Sequence, residues 1–315
     1  MPSSAVHTFT DPGEYAAAIR ATTVDLTVTG RGHFTGKRTR IDLHRLWMQR
    51  LSENMARTLH SAFVTGRAIV TFRTHPGPSL LWGGVELQPS NIIRHNEGEN
   101  AFQRSSGPAS WGAMSLQLED MVSVGAEIAG LDLTPPKDPL IFTSPPSAIA
   151  KLQRLHAAAG DLAENVPEII ANPDAARGLE QELIEAMVGC LDPRQRRDNS
   201  LAQGQHAIVM RRFWRVVEEN PEQPLYIPEI CKAIRVPSRT LRMCCQEHLG
   251  MGPKRYLLLR RMHLARRALR RAGPDTASVT DIATRFGFWQ LGRFSVQYQS
   301  LFGASPSATL RRLPE

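Results

Sequence analysis

Between Val24 and Met121 apolar and polar residues alternate in short runs, the period of half-buried strands. TRIDLHRLWMQRL sets Ile41, Leu43, Leu46–Trp47 and Leu51 along one run, and RAIVTFRT and SLLWGGVELQ continue the pattern. Turn-forming residues punctuate it at Gly30–Gly32, His75–Pro78 and Asn96–Asn100. Many short strands at this spacing predict a barrel or a sandwich. From Ser147 to Leu191 the period becomes helical, with Ile149, Leu152 and Leu155 on one face and Leu179, Leu183, Ala186 and Met187 on another. Pro173 and Asp174 mark a helix start. Asp192–Gln205 is polar and aperiodic and reads as a linker. The predicted organisation is α+β: residues 1–191 (strands ~24–121, helices ~147–191), a linker at 192–204, and an all-α unit at 205–315.

The last third repeats one pattern. IPEICKAIRVPSRTLRMCCQEHLG and VTDIATRFGFWQLGRFSVQYQSLFG each place a short apolar helix (Ile227–Ile234; Val279–Phe286) before a turn. A second helix then opens on Ser238 or Gln290 and stops at Leu-Gly or Phe-Gly. Helix, turn, helix is how a DNA-reading unit lays its second helix in the major groove, so two units are predicted at 227–249 and 279–302. Leu241, Cys245 and Leu249 should face the first core, leaving Arg239, Arg242 and Met243 outside and Ser238 free to cap the helix or meet a phosphate. Arg239 and Arg242 suit bidentate contacts to guanine, or contacts to phosphate alone. In the second unit Thr280 can cap, Gly287 supplies a permissive turn, and Phe294, Tyr298 and Phe302 form the buried face. Gln290, Leu291, Gly292, Arg293, Ser295 and Val296 then look outward, a face poor in charge. RRFWRVVEE at Arg211–Glu219 reads as an amphipathic helix closed by Asn220-Pro221. Between the units, Pro253–Ala272 forms a helix of about 30 Å, near the 34 Å repeat of the groove. Its Met262, Ala265 and Leu269 belong to the core, and its arginines are expected in solvent or on phosphate.

Charge follows the repeat. Residues 204–315 hold 19 Lys and Arg against 8 Asp and Glu, a net of +11, while the preceding 203 residues hold 19 against 22, a net of −3. A polyanionic partner for the basic end, or a solvated basic surface, follows from that asymmetry. No apolar run reaches the ~18–20 residues a membrane span needs, and the N-terminus lacks the features of a secretory signal. Cys190, Cys231, Cys244 and Cys245 fit neither a disulfide framework nor a zinc cluster, and a reducing cytoplasm suits them best.

The stretches VPSRTL…LG…PKRYLLLRRMHLARRAL and VTDIATRFGFWQLGRFSVQYQSLFGASPSATLRR resemble the DNA-binding domain of the AraC/XylS family of bacterial transcription regulators. The second stretch carries the more specific likeness, and the resemblance covers roughly Arg211–Leu313. It implies a seven-helix domain, promoter DNA and RNA polymerase as partners, and activation more often than repression. Arg235 stands where the family usually has Gly, Pro237 where Ser is common, and Cys245 where Phe is usual. Unless Arg235 is left-handed, the first turn must differ in shape. The N-terminal region resembles only the general plan of the family's companion domains, a cupin-like β-barrel followed by helices. By that likeness it binds a small-molecule effector or supports a homodimer through the Ser147–Leu191 helices.

Other chemistry finds no motif. His33, His44, His60, His75 and His95 form no HxH or HxxxH pair, so no metal site is read and no cofactor is expected. No GxSxG, GxxxxGK[ST] or GxGxxG is present, so no catalytic residue is named. Trp47, Trp82 and Trp111 line a pocket or fill a core. Two alternatives remain open: an architectural DNA-binding protein without effector, and a β-barrel enzyme tethered to DNA.

Overall fold

The computed structural model describes residues 1–20, 22–195, 204–220, 223–273 and 276–311. Most of the predicted linker at 192–204, and Pro221, lie outside the described residues. A seven-stranded antiparallel sheet and a five-stranded one face each other. The first runs β1 (Ser3–Phe9), β3 (Gly36–Asp42), β4 (Trp47–Glu53), β11 (Ala109–Gln117), β6 (Arg67–Arg73), β9 (Asn91–Arg94) and β12 (Leu140–Thr143). The second runs β2 (Thr22–Val28), β5 (Arg57–Phe63), β10 (Asn100–Ser105), β7 (Leu80–Trp82) and β8 (Val85–Glu86). The arrangement is cupin-like but unclosed: two facing sheets, the sandwich of the two layouts the strand pattern predicted, with the barrel that the resemblance implied left open.

The period of two explains the layers. Along β4, Trp47 and Leu51 turn toward the second sheet and pack with its Leu26 and Leu59 and with Trp111 of neighbouring β11. Met48 turns the other way, into a core shared with α2 (Leu118–Ala129), α3 (Pro146–Asn165) and α5 (Pro173–Val188). β11 repeats the division: Trp111 and Ala113 join the inter-sheet core, Met114 and Leu116 the helical one. Gly112 lets α3 approach, because a Cβ there would lie 2.8 Å from both Phe72 Cζ and His156 Nε2. Arg50, on the same outer face, reaches Asp161 and Glu164 of α3. The apolar stripe of the Ser147–Leu191 helices is spent on this core, so a dimer through them would use their polar outer faces.

Several elements differ from expectation. β1, α1 (Pro12–Ala18) and β12 lie outside the predicted strand region, and residues 118–121 begin α2 instead of ending a strand. Asn172 caps α5 by accepting from the backbone N–H groups of Asp174 and Ala175, and Pro173 follows at the first helical turn as predicted.

After α4 (Pro167–Ala171) and α5, seven helices follow among the described residues: α6 (Gln205–Glu219), α7 (Ile227–Ile234), α8 (Ser238–Leu249), α9 (Pro253–Arg271), α10 (Val279–Arg285), α11 (Leu291–Phe302) and α12 (Pro306–Arg311). α6 begins six residues before the predicted Arg211, its Met210 buried. Two cores form, one from α6–α9 around Phe213, Ile230 and Leu241, the other from α9–α12 around Phe294 and Tyr298. Met262, Ala265 and Leu269 are buried as expected.

These helices rest on the strands. Phe102 of β10 enters the first helical core, and His60 of β5 stacks on Trp214 of α6 at 4.6 Å and 9°. His263 Nε2 donates to the Val28 carbonyl oxygen at 3.1 Å, and Asp11 pairs with Arg266 at 3.4 Å and Arg270 at 3.7 Å. Burial lowers the His263 pKa to about 4, so this ring is neutral at pH 7. The arginines of α9, expected in solvent or on phosphate, are in large part held by protein: Arg260 donates to the carbonyls of Val217, Asn220 and Gln223, and Arg261 to that of Gly287.

Candidate nucleic-acid interface

Each helix-turn-helix unit turns on one left-handed residue. Arg235, at φ 56° and ψ 47°, ends α7, and Val236 N–H then donates to the Cys231 carbonyl at 3.2 Å. Gly287, at φ 76°, follows α10, and Phe288 N–H donates to the Ala283 carbonyl at 3.0 Å. Both bonds reach back five residues, as at a helix terminus closed by a left-handed residue. The first turn therefore keeps the shape a glycine would give it. Arg235 is the sole non-glycine with positive φ among the described residues.

The second helices then expose the predicted faces. In α8, Leu241, Cys244, Cys245 and Leu249 are buried, while Ser238, Arg239, Arg242 and Met243 are exposed. Arg239 and Arg242 have no hydrogen bond or ion pair with a described residue, so both guanidinia are open to a partner. In α11, Phe294, Tyr298 and Phe302 are buried, and Tyr298 Oη donates to Thr309 Oγ1 at 3.0 Å. Gln290, Leu291, Gly292, Arg293 and Val296 are exposed, and Ser295 is half-buried.

Two caps differ from the reading. Ser238 is the first residue of α8 and makes no cap; Pro237 holds the cap position and has no side-chain acceptor. The Ser238 hydroxyl makes no hydrogen bond with a described residue. Thr280 is likewise not the cap of α10. Ser278 is, in a box where its Oγ accepts from Asp281 N–H while Asp281 Oδ2 accepts from Ser278 N–H, both at 3.1 Å. The Ser278 hydroxyl, which donates to Asp281 Oδ2 at 2.6 Å, and then the Ser278 N–H hold the Asp281 carboxyl below the usual range.

The sequence reading missed Trp289, which is 79% exposed beside Gln290. An exposed indole in the turn before α11 offers a large amphipathic contact area at the same end of the helix as Gln290 and Leu291. The signal was a lone Trp between a turn glycine and a helix start. The paired cysteines serve packing: burial raises the pKa of Cys244 and of Cys245. Among the described residues no group of His, Cys, Asp or Glu can hold a metal ion, and no helix is long and apolar enough to cross a membrane.

A family model described as a helix-turn-helix domain matches residues 230–312. The probable thc operon regulatory protein of Rhodococcus erythropolis is 41% identical over 98 residues, 31% of this chain and 30% of that protein. XylDLEGF operon transcriptional activator 3 of Pseudomonas putida is 33% identical over 96 residues, 30% of this chain and 29% of that one. The matched segment thus spans less than a third of those relatives. Among solved structures, the AraC-like transcriptional activator CuxR aligns with 88% of this chain and 98% of its own, at 15% identity and a TM-score of 0.43. By the family match and these relatives, the C-terminal helices, with one turn built twice, form a helix-turn-helix domain similar to a segment of these operon regulators.

Proposed function

We propose that this chain is a sequence-specific, DNA-binding transcription regulator, with residues 205–315 reading promoter DNA and residues 1–191 receiving a small-molecule effector. The observation that carries the reading is the pair of exposed faces on α8 and α11, set by identical turns in the segment of net charge +11. Arg239 and Arg242 supply base contacts. Ser238 meets a phosphate. Met243, Leu291 and Val296 supply apolar contact to thymine methyls, and Gly292 brings the backbone close to the sugar-phosphate chain. Gln290, Arg293 and Ser295 frame the second face. The first unit carries more of the sequence specificity, because its outward face holds two free guanidinia, against Arg293 alone on the second. Activation through RNA polymerase agrees with the relatives described as transcriptional activators.

The full chain is expected to shift its own upstream DNA in a gel assay, with affinity falling steeply as salt rises. Arg242→Ala should cost about 1–3 kcal/mol at one base pair and less elsewhere. No preference for upstream over random duplex would end the reading; equal losses on all sequences would move Arg242 to the backbone.

A further inference from the structure

The interior between the two sheets, beside Trp47, Trp82 and Trp111, encloses a cavity of about 30 Å³. That is room for about one water molecule. A far larger space, about 750 Å³, lies where the strands meet the helices. It falls within the range of cavities that hold small ligands. β2 and β5 form one side; α6, α9 and α10 form the other.

Its chemistry is divided. Val24, Ala62, Leu264, Ala268, Ile282 and Phe286 give an apolar, mainly aliphatic wall. Residues 260, 264, 267, 268 and 271 line it from one face of α9, at helical spacing. Arg260 on that face is occupied by backbone carbonyls. Arg267, half-buried, and Arg271, exposed one turn later, have no hydrogen bond or ion pair with a described residue. Two open guanidinia four residues apart can grip one carboxylate-sized group. Four arginines line the space against two carboxylates, Asp25 and Glu218, and Glu218 already faces His60 Nδ1 at 3.3 Å. Trp214 Nε1 and His60 Nε2, both buried in the wall, have no partner among the described residues.

We infer that this cleft binds a small amphipathic monoanion, its charged head on Arg267 and Arg271 and its apolar body along the aliphatic wall. Such a ligand touches β2, β5 and the helix that joins the two reading units, so its affinity differs with the placement of α9 against the sheet. That regulatory consequence rests on the function proposed above; the binding itself does not.

The test uses the full chain and three probes with one body and three heads: octanoate, octanol and octylamine. Calorimetry without DNA should show octanoate saturating one site below about 1 mM, with the two other heads at least tenfold weaker. Arg267→Gln with Arg271→Gln should weaken octanoate at least roughly tenfold at unchanged melting temperature. Ala62→Trp, which fills the cleft, should also abolish binding. Equal binding of octanol, undiminished affinity in the double arginine variant, or no saturable binding would each overturn the assignment. Gel shifts on the same protein keep the two ideas apart: DNA binding without octanoate binding removes the cleft site alone, and octanoate binding without DNA binding removes the regulatory reading alone.

Discussion

Replacing Arg235 with glycine separates the conformational role of this residue from its charge. A non-glycine residue in the left-handed region costs about 1–2 kcal/mol, which Arg235→Gly removes. Glycine's extra freedom in the unfolded chain returns about 0.5–1 kcal/mol of that gain. Nothing else is lost, because the exposed Arg235 side chain has no hydrogen bond or ion pair with a described residue. The net expectation is a stabilisation of about 0–1.5 kcal/mol, or a melting temperature higher by up to about 6 °C. Arg235→Val should move the other way by about 1 kcal/mol or more, since a β-branched side chain tolerates positive φ poorly. Circular dichroism melts of the three proteins decide the matter. DNA binding should respond in the opposite sense: Arg235→Gly removes a cation beside α8, so affinity falls even as stability rises. A glycine variant that melts lower than the parent would refute the reasoning, because the arginine would then hold a contact that outweighs its backbone strain.

Acid should unfold the chain early. Burial lowers the pKa values of His60, His156 and His263 to about 4, against an ordinary 6.5. The unfolded chain binds these protons first, so stability is intact above pH 6.5 and declines toward pH 4, by roughly 1–3 kcal/mol per ring; urea midpoints that stay flat across this window would contradict it. Gly112→Ala should destabilise by about 1–3 kcal/mol, because the new methyl meets Phe72 and His156 under α3, and a wild-type melt would show that α3 sits farther away. Ser278→Ala removes the cap of α10 and should cost about 1 kcal/mol, whereas Thr280→Ala should cost little; the reverse order in chemical denaturation would mean that Thr280 is the cap.

The parts legible in the sequence were those with local periodicity. α7, α8 and α11 begin and end where apolar spacing and the Gly stops placed them, and Arg235 was the one point where two backbone shapes remained open. β1 escaped because its SSAVHTF pattern is mostly solvent-facing, with little apolar alternation to find. α2 escaped because LEDMVSVGAEIA continues an apolar run from β11 with no turn residue to mark the change. The contacts of Asp11 with Arg266 and of His263 with Val28 join residues more than 230 positions apart, and no window along the chain contains both partners. Capping failed for a different reason. Ser238, Ser278 and Thr280 all have the right chemistry, and only the register of the backbone chooses among them.

That long-range pairing changes what the basic charge of the C-terminal helices means. α9 carries seven arginines, and four of them are engaged by protein: Arg260 and Arg261 on carbonyls, Arg266 and Arg270 on Asp11. Glu14 adds a second carboxylate to Arg270. A count of cations therefore overstates the number available to phosphate. The helix that joins the two helix-turn-helix units is also the helix that the N-terminal strands and Asp11 grip. Nature could have left a spacer free of the rest of the molecule; here any shift of the strands against α9 must strain or release those same ion pairs. Under the proposed function, sensing and reading would share one element, and exposed guanidinia with no described partner, Arg239 and Arg242 of α8 and Arg293 of α11 among them, are charges a groove could meet without breaking anything first.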